Sequence, residues 1–192
     1  MTDRLRRRPR PQLDRAGHWL KGVRRVPSPN CDERPAGSGI SLVVIHGISL
    51  PPGEYGGGHV DRLFTNTLDA SAHPYFAKVC GLRVSAHLFV DRRGRITQYV
   101  PFQLRAWHAG ESSFDGRTAC NDFSIGIELE GSDEQPYEPR QYAVAASIVK
   151  ALMRRWPAIG ARNVVGHSDV APGRKTDPGP AFDWSDFRGR LS

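Results

Sequence analysis

The chain has 192 residues, of which 39% are hydrophobic and 24% charged, with a formal net charge of +7. Such a length and composition describe one ordinary folded domain with a substantial core and exclude disordered or collagen-like chains. No run approaches the roughly 18 apolar residues of a transmembrane helix.

In chain order, the charge comes first. Residues 1–25 hold nine Arg or Lys against Asp3 and Asp14, so the remainder carries 18 basic and 18 acidic groups. A basic arm over 1–18 ahead of a single domain over 19–192 is therefore expected, with low apolar content that cannot support packing in the arm. The balanced remainder argues against a specific nucleic-acid partner. The arginines lead into no apolar segment of secretory type, so cytoplasmic residence without a membrane anchor is the expectation. Cys31, Cys80 and Cys120 are odd in number, far apart and without a CxxC pair, which reads as reduced packed thiols and excludes a cysteine zinc knuckle.

The segment from Val23 to Gly39, with Pro27, Pro29 and Pro35, reads as an irregular lead-in. The first strong strand is 41-SLVVIH-46, whose unbroken β-branched run fits a strand covered on both faces. The glycines and prolines of 50-LPPGEYGGGH-59 make a loop, and residues 60–66 and 72–80 read as short helices. Residues 85–90 and 95–100 flank the turn 91-DRRG-94 as a hairpin. A later strand, 123-FSIGIELE-130, carries Gly126 at mid-length, a sign of close backbone packing. After Pro139, apolar residues from Tyr142 to Trp156 return every three or four positions, predicting a helix of about four turns that ends by Pro157. Residues 162–167 supply a short strand and 182–191 a closing helix, so the order is α/β, a mixed central sheet flanked by helices.

The chemically able residues sit at strand exits. His46 and His167 each end an apolar strand, and two histidines in equivalent settings invite a joint metal role, although either alone also serves as an ordinary polar partner. A catalytic zinc site takes three protein ligands and keeps one position open. Asp169 and Asp177 both follow His167 closely; Asp177 lies in a loop stiffened by Pro172, Pro178 and Pro180 and is preferred, while Asp169 is also an apt turn former. Glu128 and Glu130 share one strand face by their two-residue spacing, either as a wet face or as a desolvated general base, with Glu130 nearer solvent. Lys175 offers a cation beside Asp177 for a developing oxyanion, or a surface charge. Trp107 reads as a ligand wall or a core cover, His108 as a partner of the metal site, and Arg83 as a carboxylate fork or an exposed ion pair. No G-x-S-x-G elbow and no phosphate loop is present.

The blocks 41-SLVVIHGISLPPGEYGG-57, 84-VSAHLFVDRRGRITQYVPF-102, 105-RAWHAG-110, 120-CNDFSIGIELEG-131 and 166-GHSDVAPGRKTDPGP-180 together resemble the AmpD-type N-acetyl-anhydromuramyl-L-alanine amidases, a zinc-dependent family related to the peptidoglycan-recognition proteins. The resemblance runs from about Trp19 to Phe182, which makes 19–192 a zinc amidase domain of that fold. It implies zinc held by His46, His167 and Asp177, Glu128 as catalytic acid and base, and Lys175 as transition-state stabiliser. It also implies substrate contacts through Arg83, to which Trp107 and His108 are added. The reaction implied is cytoplasmic hydrolysis of the lactyl amide of an anhydromuropeptide. A broader amidase acting on wall peptidoglycan and a non-catalytic muropeptide-binding module are the alternatives. Gly47 and Ala119 depart from the family pattern, where relatives commonly have Asn and Arg, which bears on sugar and peptide preference rather than on the metal.

Overall fold

A computed structural model describes residues 11–192. Residues 1–10, the greater part of the basic arm, lie outside the described residues, whereas the rest of the arm is packed. Leu13 bridges to Leu20 and rests on the core, and His18 accepts a backbone bond from Phe102.

The elements are β1 (Arg24–Arg25), β2 (Cys31–Glu33), β3 (Leu42–Ile48), α1 (His59–Phe64), α2 (Pro74–Val79), β4 (Leu88–Val90), β5 (Ile96–Gln98) and β6 (Leu104–Ala106). They continue with β7 (Ser113–Phe114), β8 (Arg117–Thr118), β9 (Ser124–Glu130), α3 (Pro139–Arg155), β10 (Val164–Gly166), α4 (His167–Val170) and α5 (Trp184–Leu191). One six-stranded sheet runs β1-β5-β4-β9-β3-β10, all pairs parallel except β4 with β5, so the expected mixed α/β architecture is present. Among the described residues no helix is long and apolar enough to cross a membrane.

β3 opens as a continuous apolar run because both its faces are covered, while β9 alternates Ile125, Ile127 and Leu129 with small or acidic residues. Val43 and Ile45 of β3, with Ile125, Ile127 and Leu129 of β9, face the Tyr142, Ala145, Val149 and Leu152 stripe of α3. Each such aliphatic side chain contributes roughly 1.5–3 kcal/mol relative to leaving it in water. The opposite face takes Leu42 and Val44, beside Val165, into a smaller cluster with Ala109 and Phe123. Two-residue periodicity then places His46 and Glu128 on this second face. α3 begins at Pro139, whose missing N–H costs nothing there. Gln141, fully buried, accepts from Glu138 N–H and donates to the carbonyls of Val90 and Glu130, which locks the start of the helix to the exits of β4 and β9.

The irregular lead-in contains two short strands, Arg24–Arg25 and Cys31–Glu33, that pair with β5 and β6. The strand expected to stop at His46 continues to Ile48, and the one expected to stop at His167 ends at Gly166. His167 instead opens a one-turn helix.

Candidate metal centre and active site

His46 and Glu128 are paired in register across β3 and β9, so their side chains stand next to each other on one face. β10 pairs Gly166 with Ile45, and the next residue, His167, turns toward the same rim. The loop after α4 folds back: Ser168 N–H donates to the Asp177 carbonyl at 3.0 Å, and a Cβ on Gly166 would lie 2.9 Å from Pro178. Asp177 is carried to the two histidines in this way. His46 Nδ1 lies 3.0 Å from His167 Nδ1 and 3.2 Å from Asp177 Oδ2, and the third side of the triangle is 3.1 Å.

Asp169 goes elsewhere. Its Oδ2 accepts from Gly166 N–H at 2.7 Å, the turn-forming role that sequence left open.

The triangle fits a metal. Tetrahedral bonds of about 2.0–2.1 Å place zinc ligand atoms about 3.3 Å apart, close to the separations present. Protonation points the same way. His167 Nε2 lies 3.1 Å from the Ala109 carbonyl, which only accepts, so Nε2 carries the proton and Nδ1 a lone pair in the neutral ring. Burial pushes His46 down to about 4, leaving it neutral near pH 7. Burial raises Asp177, but protonated His167 and His46 facing it would outweigh that and hold the carboxyl well below its usual range, the stabilisation that a cation between the three groups would supply in their place. One carboxylate and two imidazoles thus converge, a donor set suited to zinc.

Glu128 stands beside this cluster with Oε2 buried and lacking a hydrogen-bond partner among the described residues. Burial drives its carboxyl well above the ordinary value, the Asp177 charge adds to the rise and Lys175 opposes it. A buried orphan carboxylate is costly unless a substrate, water or cation meets it. Lys175 itself is exposed, on the loop that carries Asp177, close enough for its charge to act on Glu128 and His46.

Glu130 is a correction. Expected nearer solvent, it is 6% exposed, accepting from Gly56 N–H and Arg92 N–H and so tying the glycine loop and the hairpin turn to β9. It also lines a cavity of about 880 Å³ formed with Arg24, Gly57 and Arg95, which does not contain the three candidate ligands. The candidate site is the cluster on the rim, where the ligand convergence and the orphan carboxylate lie.

Of the remaining candidates, Trp107 is half-buried and donates from Nε1 to Asp32 Oδ1 at 3.0 Å, while Arg83 is exposed with its guanidinium on the Gly81 carbonyl. His108 Nδ1 lies 2.9 Å from His46 Nε2, and its Nε2 is 3.1 Å from Ser124 Oγ, so both of its ring nitrogens are engaged within the protein.

Gly47 has a packing reason. A Cβ there would lie 2.1 Å from the Tyr137 hydroxyl, which donates to the Pro178 carbonyl next to Asp177. Gly47→Ala is expected to expel Tyr137 from this bond and to destabilise the fold by about 1–3 kcal/mol through overpacking, checked by denaturant unfolding. An unchanged midpoint would show that Tyr137 yields freely. Ala119 adopts φ 57°, a left-handed backbone that few non-glycine residues hold.

Comparison with known proteins gives the family context. Residues 36–180 match the family described as N-acetylmuramoyl-L-alanine amidase. The 1,6-anhydro-N-acetylmuramyl-L-alanine amidase AmpD of Citrobacter freundii is 59% identical over 170 residues, which cover 88% of this chain and 90% of that protein. The crystal structure of a Se-Met AmpD derivative superposes with a TM-score of 0.89 at 57% identity, covering 94% of this chain and 99% of the other. The Escherichia coli amidase AmiD, solved with the substrate anhydro-N-acetylmuramic acid-L-Ala-D-gamma-Glu-L-Lys, gives a TM-score of 0.59 at 32% identity, covering 82% and 60%.

Proposed function

Because the chain belongs to the N-acetylmuramoyl-L-alanine amidase family, we infer that it is a 1,6-anhydro-N-acetylmuramyl-L-alanine amidase, cleaving the lactyl amide between the anhydro sugar and the first alanine of the stem peptide. The observation that carries the mechanism is the unpartnered, buried Glu128 carboxylate beside the His46, His167 and Asp177 cluster.

We assign zinc to those three residues. When bound, the metal supplies Lewis-acid activation of water and of the amide carbonyl. Glu128, desolvated and therefore a stronger base than an exposed carboxylate, takes the proton of the attacking water and returns it to the departing alanine nitrogen. Lys175 sets a positive charge near the growing oxyanion. Trp107 and Arg83 are assigned to the substrate, the first as an apolar wall and the second as a fork for a stem carboxylate. The reading places the reaction in the cytoplasm, in the recycling of wall fragments.

A defined anhydromuropeptide and its non-anhydro counterpart, digested side by side with zinc-replete protein and followed by mass spectrometry, test the assignment. Preferential release of stem peptide from the anhydro form is expected. Equal or faster cleavage of the other form would replace it with a broader wall amidase, and binding without cleavage would replace it with a non-catalytic module.

A further inference from the structure

We propose that His108 is a positioning residue for the metal, acting through an ordered proton chain, His46 to His108 to Ser124, that decides which face of His46 is offered for ligation. The proposal rests on the zinc assignment above.

His46 turns Nδ1 toward His167 and Asp177 and Nε2 toward His108 Nδ1, 2.9 Å away. A neutral imidazole that ligates through Nδ1 must carry its proton on Nε2. His108 then has to accept at Nδ1, which leaves its own proton on Nε2, pointing at Ser124 Oγ 3.1 Å away. Run in the opposite sense, the Ser124 hydroxyl donates to His108, His108 donates to His46, and the His46 proton is displaced to Nδ1 in the middle of the metal site. The polarity of this chain therefore sets whether three lone pairs converge or only two.

The two metal-facing histidines differ in this respect. His167 donates to the Ala109 carbonyl, which can never reverse. His46 faces an imidazole, which can. A histidine ligand normally donates its second N–H to a carboxylate, carbonyl or water, and such partners fix tautomer and ring orientation.

The surroundings hold the His108 ring to its place. Asn121 Oδ1 accepts from both His108 N–H, at 3.1 Å, and Ala109 N–H, at 2.8 Å, so one side chain anchors the partners of both histidines. The ring occupies the space opened by Gly126 on β9, where a Cβ would lie 2.5 Å from His108 Cγ. It meets His46 edge to face, with centroids 5.0 Å apart and planes at 86°. With both nitrogens engaged, its effect falls on the metal rather than on substrate.

Zinc affinity of the full chain, measured by competition with a chromophoric chelator, tests this independently of turnover. His108→Leu is expected to weaken zinc binding about 10–100-fold. His108→Asn, whose amide oxygen can stand in for Nδ1, is expected to recover most of that loss. Nitrogen-15 NMR of the unmutated zinc form, free of any folding defect, should find the His108 proton on Nε2. Unchanged affinity in the leucine variant, equal loss in both variants, or a His108 proton on Nδ1 would each overturn the proposal. An unmutated chain that takes up no zinc would instead defeat the zinc assignment, and the same titration shows it before any variant is made.

Discussion

Glu128→Gln is expected to retain one zinc per chain and to cleave an anhydromuropeptide about 10²–10⁴-fold more slowly, the usual contribution of general acid–base catalysis. The substitution keeps the shape of the side chain, packed on β9 in register with His46, and removes only its capacity to carry a proton. It also separates catalysis from folding through pH. Burial raises the Glu128 carboxyl in the folded state well above its ordinary value of 4.5. A raised folded value means that the folded state binds the proton more tightly, so the associated stability is complete below the ordinary value and is lost as pH rises through the folded one. In metal-free protein, the glutamine variant should therefore gain stability relative to the parent as pH rises above the ordinary carboxylate value, read as a widening difference in Tm. A constant difference would indicate a carboxyl titrating as an exposed one does.

Asp177→Ala should have the larger effect on the metal itself. Asp177 is the one carboxylate of the cluster, and without it two imidazoles remain, too few ligands for a catalytic zinc site. Zinc content should fall to background and hydrolysis with it, as for His46→Ala and His167→Ala. Asp169→Ala provides the contrast. It loses the bond to Gly166 N–H, at a cost of about 0.5–1.5 kcal/mol, but should keep zinc. Zinc lost from the Asp169 variant and kept by the Asp177 variant would reverse the assignment of the two aspartates.

The elements legible from the sequence were those with an undiluted pattern. β3 announces itself as an apolar run because neighbours cover both faces, β9 by the alternation of Ile125, Ile127 and Leu129, and α3 by the spacing of Tyr142, Ala145, Val149 and Leu152. β1 and β2 lack any such pattern. They are two and three residues long, charged or half-buried, and exist because β5 and β6 offer them backbone partners.

The site divides along the same line. The placement of His46 and His167 near the exits of two neighbouring strands was readable, although β3 runs on to Ile48 and His167 opens α4, as was the shared face of Glu128 and Glu130. Asp177 over Asp169 was readable only as a preference, since what removes Asp169 is a single backbone bond to Gly166. The burial of Glu130 was not readable, since it follows from donors 74 and 38 residues distant in the chain. Gly126 did signal a close approach, but only tertiary structure reveals the approaching group as the His108 ring. The roles of Glu128 and Lys175 came from the family resemblance, to which the geometry adds desolvation and a neighbouring charge.

The most direct measurement is a reconstitution titration. Chelator-stripped chain is supplied with increasing zinc while release of stem peptide from an anhydromuropeptide is recorded. Activity should start near zero, climb in proportion to added metal and level off at one zinc per chain. Full activity in the stripped protein, or a rise indifferent to zinc, would contradict the account.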